Sequence, residues 1–453
     1  MHKKTFYAID LFAGCGGLSE GFIQAGFEVI SQIEMDEWAC ETLSTRHMYH
    51  ALKKIGKEHY YHKYLRGEIF KKQLLNKFSD VYELVSHGVI KAKFGKSKLS
   101  RILEKIEKTT KHYGASRFNV VIGGPPCQSY SLIGRSSNQH RMENDKRHFL
   151  YEYYLKILAY LRPDFFVFEN VPGLITAEAK GKEIFLKMLD DFRNINPPYE
   201  IAPSFDEYYE NPREYLLDSS DYGVPQKRKR VIFLGYKKSL LQYNKNVKDV
   251  FKNILTTTTP RHAGYTIVDA IGDMPPLKPG EGSDRWFGEY PKEALTPYQL
   301  KMRNNSPGII NFKARTHMKS DLERYRFFIE HHKNGNGAAT LEDLIDQRPD
   351  LIPAHKNLSG FLDRFKVQWW YQPSSTIISH ISKDGHYYIH PDLCQCRSFT
   401  VREAARCQSF PDNYLFEGPR TDQFRQVGNA VPPMLAKVIA TRILKELNKI
   451  YIS

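Results

Sequence analysis

The chain has 453 residues, 41% of them hydrophobic and 13% aromatic, which is enough for one large domain with a real core and a smaller one beside it. Lys and Arg number 66 against 51 Asp and Glu, a formal charge of +15. That balance invites a polyanion such as nucleic acid, with a merely solvated basic surface as the alternative. The six Cys are scattered without a disulfide framework, and no apolar run is long enough for a bilayer, so a disulfide-stapled scaffold and a membrane-spanning protein are excluded and a cytoplasmic one is expected.

Residues 5–10, TFYAID, read as a strand, followed by the Gly-rich turn LFAGCGGLSEGF and a helix to about Ala25. Gly14, Gly16 and Gly17 allow close approach of a ligand to the backbone at a helix N-terminus. The next apolar run, Phe27 to Ile33, ends in Glu34, Met35 and Asp36. An acid at the end of the second strand, about 20 residues past the glycines, is where a ribose is commonly held. The pattern lacks the third Gly of the dinucleotide fingerprint, so a nucleoside-type cofactor is expected rather than NAD.

Residues 50–117 hold 17 Lys and Arg against 6 Asp and Glu. Leu99, Ile102, Leu103 and Ile106 at helical spacing predict an inserted helical element with one apolar and one basic face. Packing on the domain with lysines in water is favoured there over contact with a DNA backbone. The run Phe118 to Ile122 then predicts a buried strand that stops at Gly123-Gly124-Pro125-Pro126 and delivers Cys127. A single Cys is usually a small buried hydrophobe. Here, a strand end and a following polar loop place it like a nucleophile, with residues 128–147 as an active-site lid. A helix is expected from Phe149 to Leu161. Another buried strand, Phe165 to Phe168, ends in Glu169 and Asn170. In DYGVPQKRKRVIFLGY, Arg228 and Arg230 alternate before the strand Val231 to Leu234, so period two sets them on one face. Strands that finish in polar groups one after another imply a parallel sheet with its site along the carboxyl edge.

The blocks DLFAGCGGLSEGF, GGPPCQSYS, ENVPGL, YGVPQKRKR, RSFTVREAARCQSFPD and QVGNAVPP, in this order, resemble those of the DNA (cytosine-5)-methyltransferases, chiefly the bacterial type II modification enzymes. The resemblance implies an α/β, doubly wound, Rossmann-like methyltransferase fold with a smaller irregular target recognition domain. It implies S-adenosyl-L-methionine as cofactor and double-stranded DNA as substrate, with methyl transfer to carbon 5 of a flipped cytosine. By the same resemblance, Cys127 is the nucleophile at carbon 6, Glu169 the acid at N3, and Arg230, with Arg228 beside it, the holder of O2. Phe12, Ala13, Gly14, Gly16, Gly17, Glu34, Met35, Pro126, Asn429 and Val431 fall to the cofactor. The family also has an acid contacting adenine after the third strand, for which Glu68 is the candidate. Gln128, Ser131, Arg147 and Thr376 are the expected DNA contacts.

The expected domains are a catalytic part at 1–236, with a basic helical insertion at about 70–117, a recognition part at 237–370, and a bridge and return at 371–453. The helical pattern after the QVGNAVPP block is expected to pack beside the first glycine unit. His386, His390, Cys394 and Cys396 cluster, but Cys-x-Cys is the wrong spacing for a common zinc site, so no metal is expected. The RSFTVREAARCQSFPD block reads as a structural bridge. A monomer is expected, with a cognate restriction endonuclease acting separately. Methylation of a tRNA cytosine and a non-catalytic DNA-binding relative remain the alternatives.

Overall fold

The structure, a computed structural model, describes residues 4–126, 150–176, 180–202, 212–255, 264–333, 337–353 and 363–452. Five parallel strands form the body of the main sheet. They are β1 (Tyr7–Leu11), β2 (Glu28–Glu34), β3 (Val89–Lys91), β4 (Val120–Gly123) and β5 (Phe165–Asn170), laid out as β3-β2-β1-β4-β5. β6 (Tyr199–Ala202) and β7 (Leu216–Asp218) each pair with β8 (Lys229–Lys237), and β8 runs antiparallel between β5 and β6. The order reverses between β1 and β4, which opens a crevice beyond their carboxyl ends.

The central strands β4 and β5 are apolar up to their carboxyl ends because both faces are covered. Val120, Ile122, Phe165 and Val167 enter a core with Leu18, Phe22, Leu435 and Ile439. Val121, Phe166 and Phe168 point the other way, into a core with Ile102, Ile106, Tyr154 and Phe192. The first core joins the two ends of the sequence: helix Gly17–Ala25 lies on helix Pro433–Tyr451. A side chain at Gly17 would place its Cβ 2.1 Å from the Val431 carbonyl oxygen, and one at Gly21 would meet the Ala436 Cβ at 2.4 Å. Glycine at these positions is what lets the backbones close up, as the sequence led us to expect for the C-terminal return.

The basic stretch departs from expectation in one respect. Its amphipathic helix, Leu99–His112, buries Ile102 and Ile106 against the domain and leaves its lysines to water, as expected. However, the segment is not wholly helical. It contains β3, the edge strand, which pairs with β2 from Gln32↔Val89 to Glu34↔Lys91.

Among the described residues of 264–430, the stretch beyond the sheet, there is no strand–helix rhythm. Short helices surround a two-stranded antiparallel ribbon of β9 (Gly282–Gly288) and β10 (Ile309–Lys313). Buried charge holds it together. Arg397 donates to both carboxylate oxygens of Glu403, at 2.8 Å each. Arg406 grips Asp412 with bonds of 2.8 and 2.6 Å and also reaches Asp273. Arg402 donates to the carbonyls of Ile310, Pro411 and Tyr414. Helix Val401–Cys407 thereby ties the ribbon to the C-terminal blocks.

Candidate active site

Parallel pairing sets the strand ends side by side: Leu11 pairs with Ile33 and with Gly123, and Gly123 with Phe168. The residues just past those positions therefore share one edge. β8, running the other way, brings its first residues to the same edge. In order across it stand Glu34, the turn from Phe12 to Gly17, Gly124 to Pro126, Glu169 and Arg230.

On the β1–β2 side the turn is held by its backbone. Phe12 has φ +60, Gly14 φ +54 and Gly16 φ +87, left-handed positions that are costly for Phe and natural for Gly. Ala13 N–H donates to the Ile33 carbonyl at 3.0 Å, and Gly14 N–H donates to the Glu34 carboxylate at 2.8 Å. The other oxygen of Glu34 accepts from the N–H groups of Met35 and Asp36. Met35 lies open beside it, 61% exposed. Asp10, at the end of β1, is wholly buried. Ser19 donates to one of its oxygens at 2.6 Å, while the other has no partner. Burial pushes its carboxyl up to about 7, with the Ser19 bond opposing. Val431 closes over Gly17, and Asn429 is exposed at the end of helix Arg420–Asn429.

Behind the turn, Glu20 accepts two bonds from Arg46, at 2.8 and 2.7 Å, and faces His50 Nε2 at 3.1 Å. The Tyr414 hydroxyl donates to the Cys15 carbonyl. The turn is thus fixed from helix Glu37–Lys54 and from the C-terminal blocks together.

On the β4–β5–β8 side, the site is a buried ion pair. Arg230 Nε lies 2.8 Å from Glu169 Oε1, and the two side chains are 9% and 12% exposed. A Cβ on Gly124 would stand 2.5 Å from Glu169 Oε2, so glycine there is what admits the carboxylate. Burial raises the Glu169 carboxyl above its ordinary range, against the pull of Arg230 and, more weakly, Arg228. Burial also lowers Arg230, against Glu169. In each member burial disfavours the charged form, and the attraction within the pair opposes it.

The structure separates the two arginines that the alternation grouped. Arg228 does not bond Glu169. It is wholly buried, and its guanidinium donates to the carbonyls of Ile377 and Gly428. It braces the segment around Thr376 against the block that carries Asn429. Thr376 donates its hydroxyl to the Lys227 carbonyl at 2.6 Å, so a bond from it to phosphate requires that hydroxyl to turn.

Glu68 is a correction. It sits past helix Glu58–Arg66, beside Arg66 at 3.8 Å, with its side chain 47% exposed. The third strand starts only at Val89, so Glu68 precedes it and the positional reason for choosing it is gone. Just past β3 stands Phe94 instead, and its ring packs on Phe12 at 4.4 Å between centroids. Sequence reading missed Phe94 and the roles of Gly124, read only as a turn residue, and of Asp10. The signals for the last two were a doubled glycine and an acid inside an apolar strand. Cys127, Gln128, Ser131 and Arg147 lie outside the described residues; Pro126, the last before them, is exposed.

His386, His390, Cys394 and Cys396 have separate surroundings. His386 Nδ1 meets the Tyr325 hydroxyl at 2.7 Å, His390 Nδ1 accepts from the Asp392 N–H, and the Cys396 thiol donates to the Leu322 carbonyl. Cys394 is exposed.

A family model for C-5 cytosine-specific DNA methylases matches residues 6–65 and 88–445. A type II methyltransferase of Bacillus paralicheniformis is 40% identical over 458 residues, covering 97% of this chain and 99% of its own. A type II methyltransferase of Desulfomicrobium norvegicum is 30% identical over 451 residues, covering 96% of this chain and 88% of its own. The fold is similar to that of a prophage-encoded E. coli protein described as a DNA modification methyltransferase. That match has a TM-score of 0.63 at 22% identity, over 98% of this chain and 100% of the other. Among the described residues, no helix is long and apolar enough to cross a membrane.

Proposed function

The chain belongs to the C-5 cytosine-specific DNA methylases, and from that membership we propose that it methylates one cytosine within a specific duplex sequence through a covalent adduct with Cys127. The Glu169–Arg230 pair carries this reading. It is a raised carboxyl bonded to a buried guanidinium at 2.8 Å, packed against Gly124. Cys127 stands three residues past Gly124 in the sequence.

S-adenosyl-L-methionine fits the other half of the edge. The orphaned oxygen of buried Asp10, the side-chain-free backbone at Gly14, the acid Glu34 and the open Met35 are what a sulfonium nucleoside with a ribose and an amino-acid tail calls for. Phe12, Ala13, Gly14, Gly16, Gly17, Glu34, Met35, Pro126, Asn429 and Val431 hold it. When bound, it supplies an electrophilic methyl group.

The chain's own residues perform the activation. The target base is flipped from the stack so that a thiolate can reach it. Cys127 adds to carbon 6, and the ring's electron density moves towards carbon 5 and N3. Glu169, held toward its protonated form by burial, gives a proton or hydrogen bond at N3 as negative charge develops there. Arg230 orients Glu169 and holds O2. Once carbon 5 carries the methyl group, its proton leaves, the carbon–sulfur bond breaks, and Cys127 departs as thiolate. Gln128, Ser131, Arg147 and Thr376 contact the DNA around the flipped nucleotide. Residues 237–370 read the target sequence, and Arg228 braces the frame. Methylation by a type II enzyme protects host DNA from a separate restriction endonuclease.

Duplex DNA with 5-fluorocytosine at the target blocks the last proton loss and should trap a covalent adduct with the native protein plus cofactor. The Cys127→Ser protein should give none. An adduct of unchanged yield with that variant removes Cys127 from the reaction.

A further inference from the structure

Outside the site, Glu83, His87 and His112 each bring one ligand atom to a common point, with the three atoms within 4.8 Å of one another. Glu83 and His87 are one turn apart on helix Ser79–Gly88, and His112 is the last residue of helix Leu99–His112. His87 Nε2 is already 3.4 Å from Glu83 Oε2, and the two imidazole rings lie 4.5 Å apart between centroids. Tetrahedral ligands at about 2.0–2.1 Å from a zinc ion stand roughly 3.3 Å from each other. The first pair therefore fits as it is. His112, exposed at a helix end, has only a rotamer to adjust.

Two further features favour a cation there. His87 and His112 both fall in the last turn of their helices, so the negative ends of two helix dipoles converge on the point. The Thr109 hydroxyl also donates to the His87 carbonyl at 3.0 Å, which fixes one helix against the other beside the three ligands. The stretch is rich in lysine, which disfavours an all-oxygen site needing several carboxylates. Neutral imidazoles carry no such demand, and two of them with one carboxylate select a first-row transition ion over calcium or magnesium. Glu83 and His87 lie in residues 66–87, the interval that the family match skips, while His112 lies inside the matched part, so two of the three ligands fall outside what the family model describes.

We propose that Glu83, His87 and His112 form a site for a divalent transition ion of the zinc type, with water as the fourth ligand. The ion cross-links helix Ser79–Gly88 to helix Leu99–His112. It also anchors the start of β3, which begins two residues past His87 and pairs with the strand that ends in Glu34.

Cobalt(II) is a spectroscopic stand-in for zinc. Titrating it into the full-length native protein should produce visible d–d bands of a four-coordinate ion at one equivalent, and added zinc should bleach them. Glu83→Gln and His112→Ala alter exposed side chains, and each should weaken binding by more than about 100-fold, the upper range for losing a mere outer-shell partner. Cys394→Ser, at the other His/Cys cluster, should leave the bands unchanged. No bands with the native protein, or bands of equal intensity and affinity with His112→Ala, would overturn the proposal and leave the two rings as a packing contact.

Discussion

Two buried Arg–Glu pairs in this molecule behave in opposite ways. Arg397 and Glu403 are joined by two bonds of 2.8 Å, and Glu403 takes a third from the Thr400 N–H at 2.7 Å. The Glu403 carboxyl is held down at about 2, because Arg397 and these bonds outweigh burial. Arg230 and Glu169 meet through one bond, and burial wins, so Glu169 is held up instead. The residue types are the same and both pairs are out of water. The difference is how completely the carboxylate is satisfied. A saturated pair is a rivet. An unsaturated one keeps capacity for a ligand, and it is the unsaturated one that stands on the carboxyl edge of the sheet.

That contrast can be broken most forcefully at the rivet. Arg397→Ala leaves Glu403 buried without its counter-ion and should cost about 3–5 kcal/mol of stability, read by denaturant melts. Its residual activity should scale with the folded fraction. Glu169→Gln should do the reverse, with melting little changed and kcat down by about 10²–10³, the usual cost of one transition-state donor or acid. Cofactor affinity, measured by calorimetry, should stay at the native value. If Glu169→Gln melts far below the native protein, the pair is a rivet after all. The arginines sharpen the same point: Arg230→Lys should lower kcat, whereas Arg228→Lys should lower the melting temperature first.

A smaller effect is expected at the turn, where backbone shape rather than charge decides. Gly17→Ala drives a methyl into the Val431 carbonyl, and such overpacking costs about 1–3 kcal/mol. It should appear as a raised Kd for cofactor together with a modest loss of stability.

The gentlest probe is acid. Glu403 has a folded pKa near 2 against an ordinary 4.5, so its stabilisation is complete above 4.5 and is lost as pH falls towards 2. His390, beside Glu403 at 3.6 Å, is pushed down to about 3 by burial and by Arg397. It is neutral in the fold, while the unfolded chain takes up its proton near 6.5. Stability should therefore decline as pH falls from about 6.5 towards 3, at up to about 1.4 kcal/mol per pH unit for this group. Urea midpoints between pH 7 and 5, where Glu403 contributes little, should fall less steeply for His390→Gln than for the native protein.

Much of the frame was legible because apolar runs flanked by glycine or acids have few other readings. Phe165 to Phe168 could hardly be anything but a strand covered on both sides. β3 was hidden for the opposite reason: three residues, VIK, in a lysine-rich stretch carry no periodicity, and only pairing with β2 makes them a strand. Losing β3 displaced the choice of Glu68. Arg228 and Arg230 were equally visible, and alternation ranked them together. Their separation depends on Ile377 and Gly428, some 150 and 200 positions away, which no local pattern can report. Gly124 was noticed as a turn residue, yet its use is to make room for Glu169.

The packing of helix Gly17–Ala25 against helix Pro433–Tyr451 has a consequence during synthesis. Gly17 leaves the ribosome 414 residues before Val431, which takes roughly 20–80 s at about 5–20 residues per second. Through that interval the first glycine unit lacks its outer wall, and Leu18 and Phe22 have no partner helix to cover them. The nascent chain therefore carries a sticky, unfinished half-site and acquires a complete one only when helix Pro433–Tyr451 docks. An unfinished protein cannot begin marking DNA, and chaperone demand should be greatest in the interval before helix Pro433–Tyr451 is made.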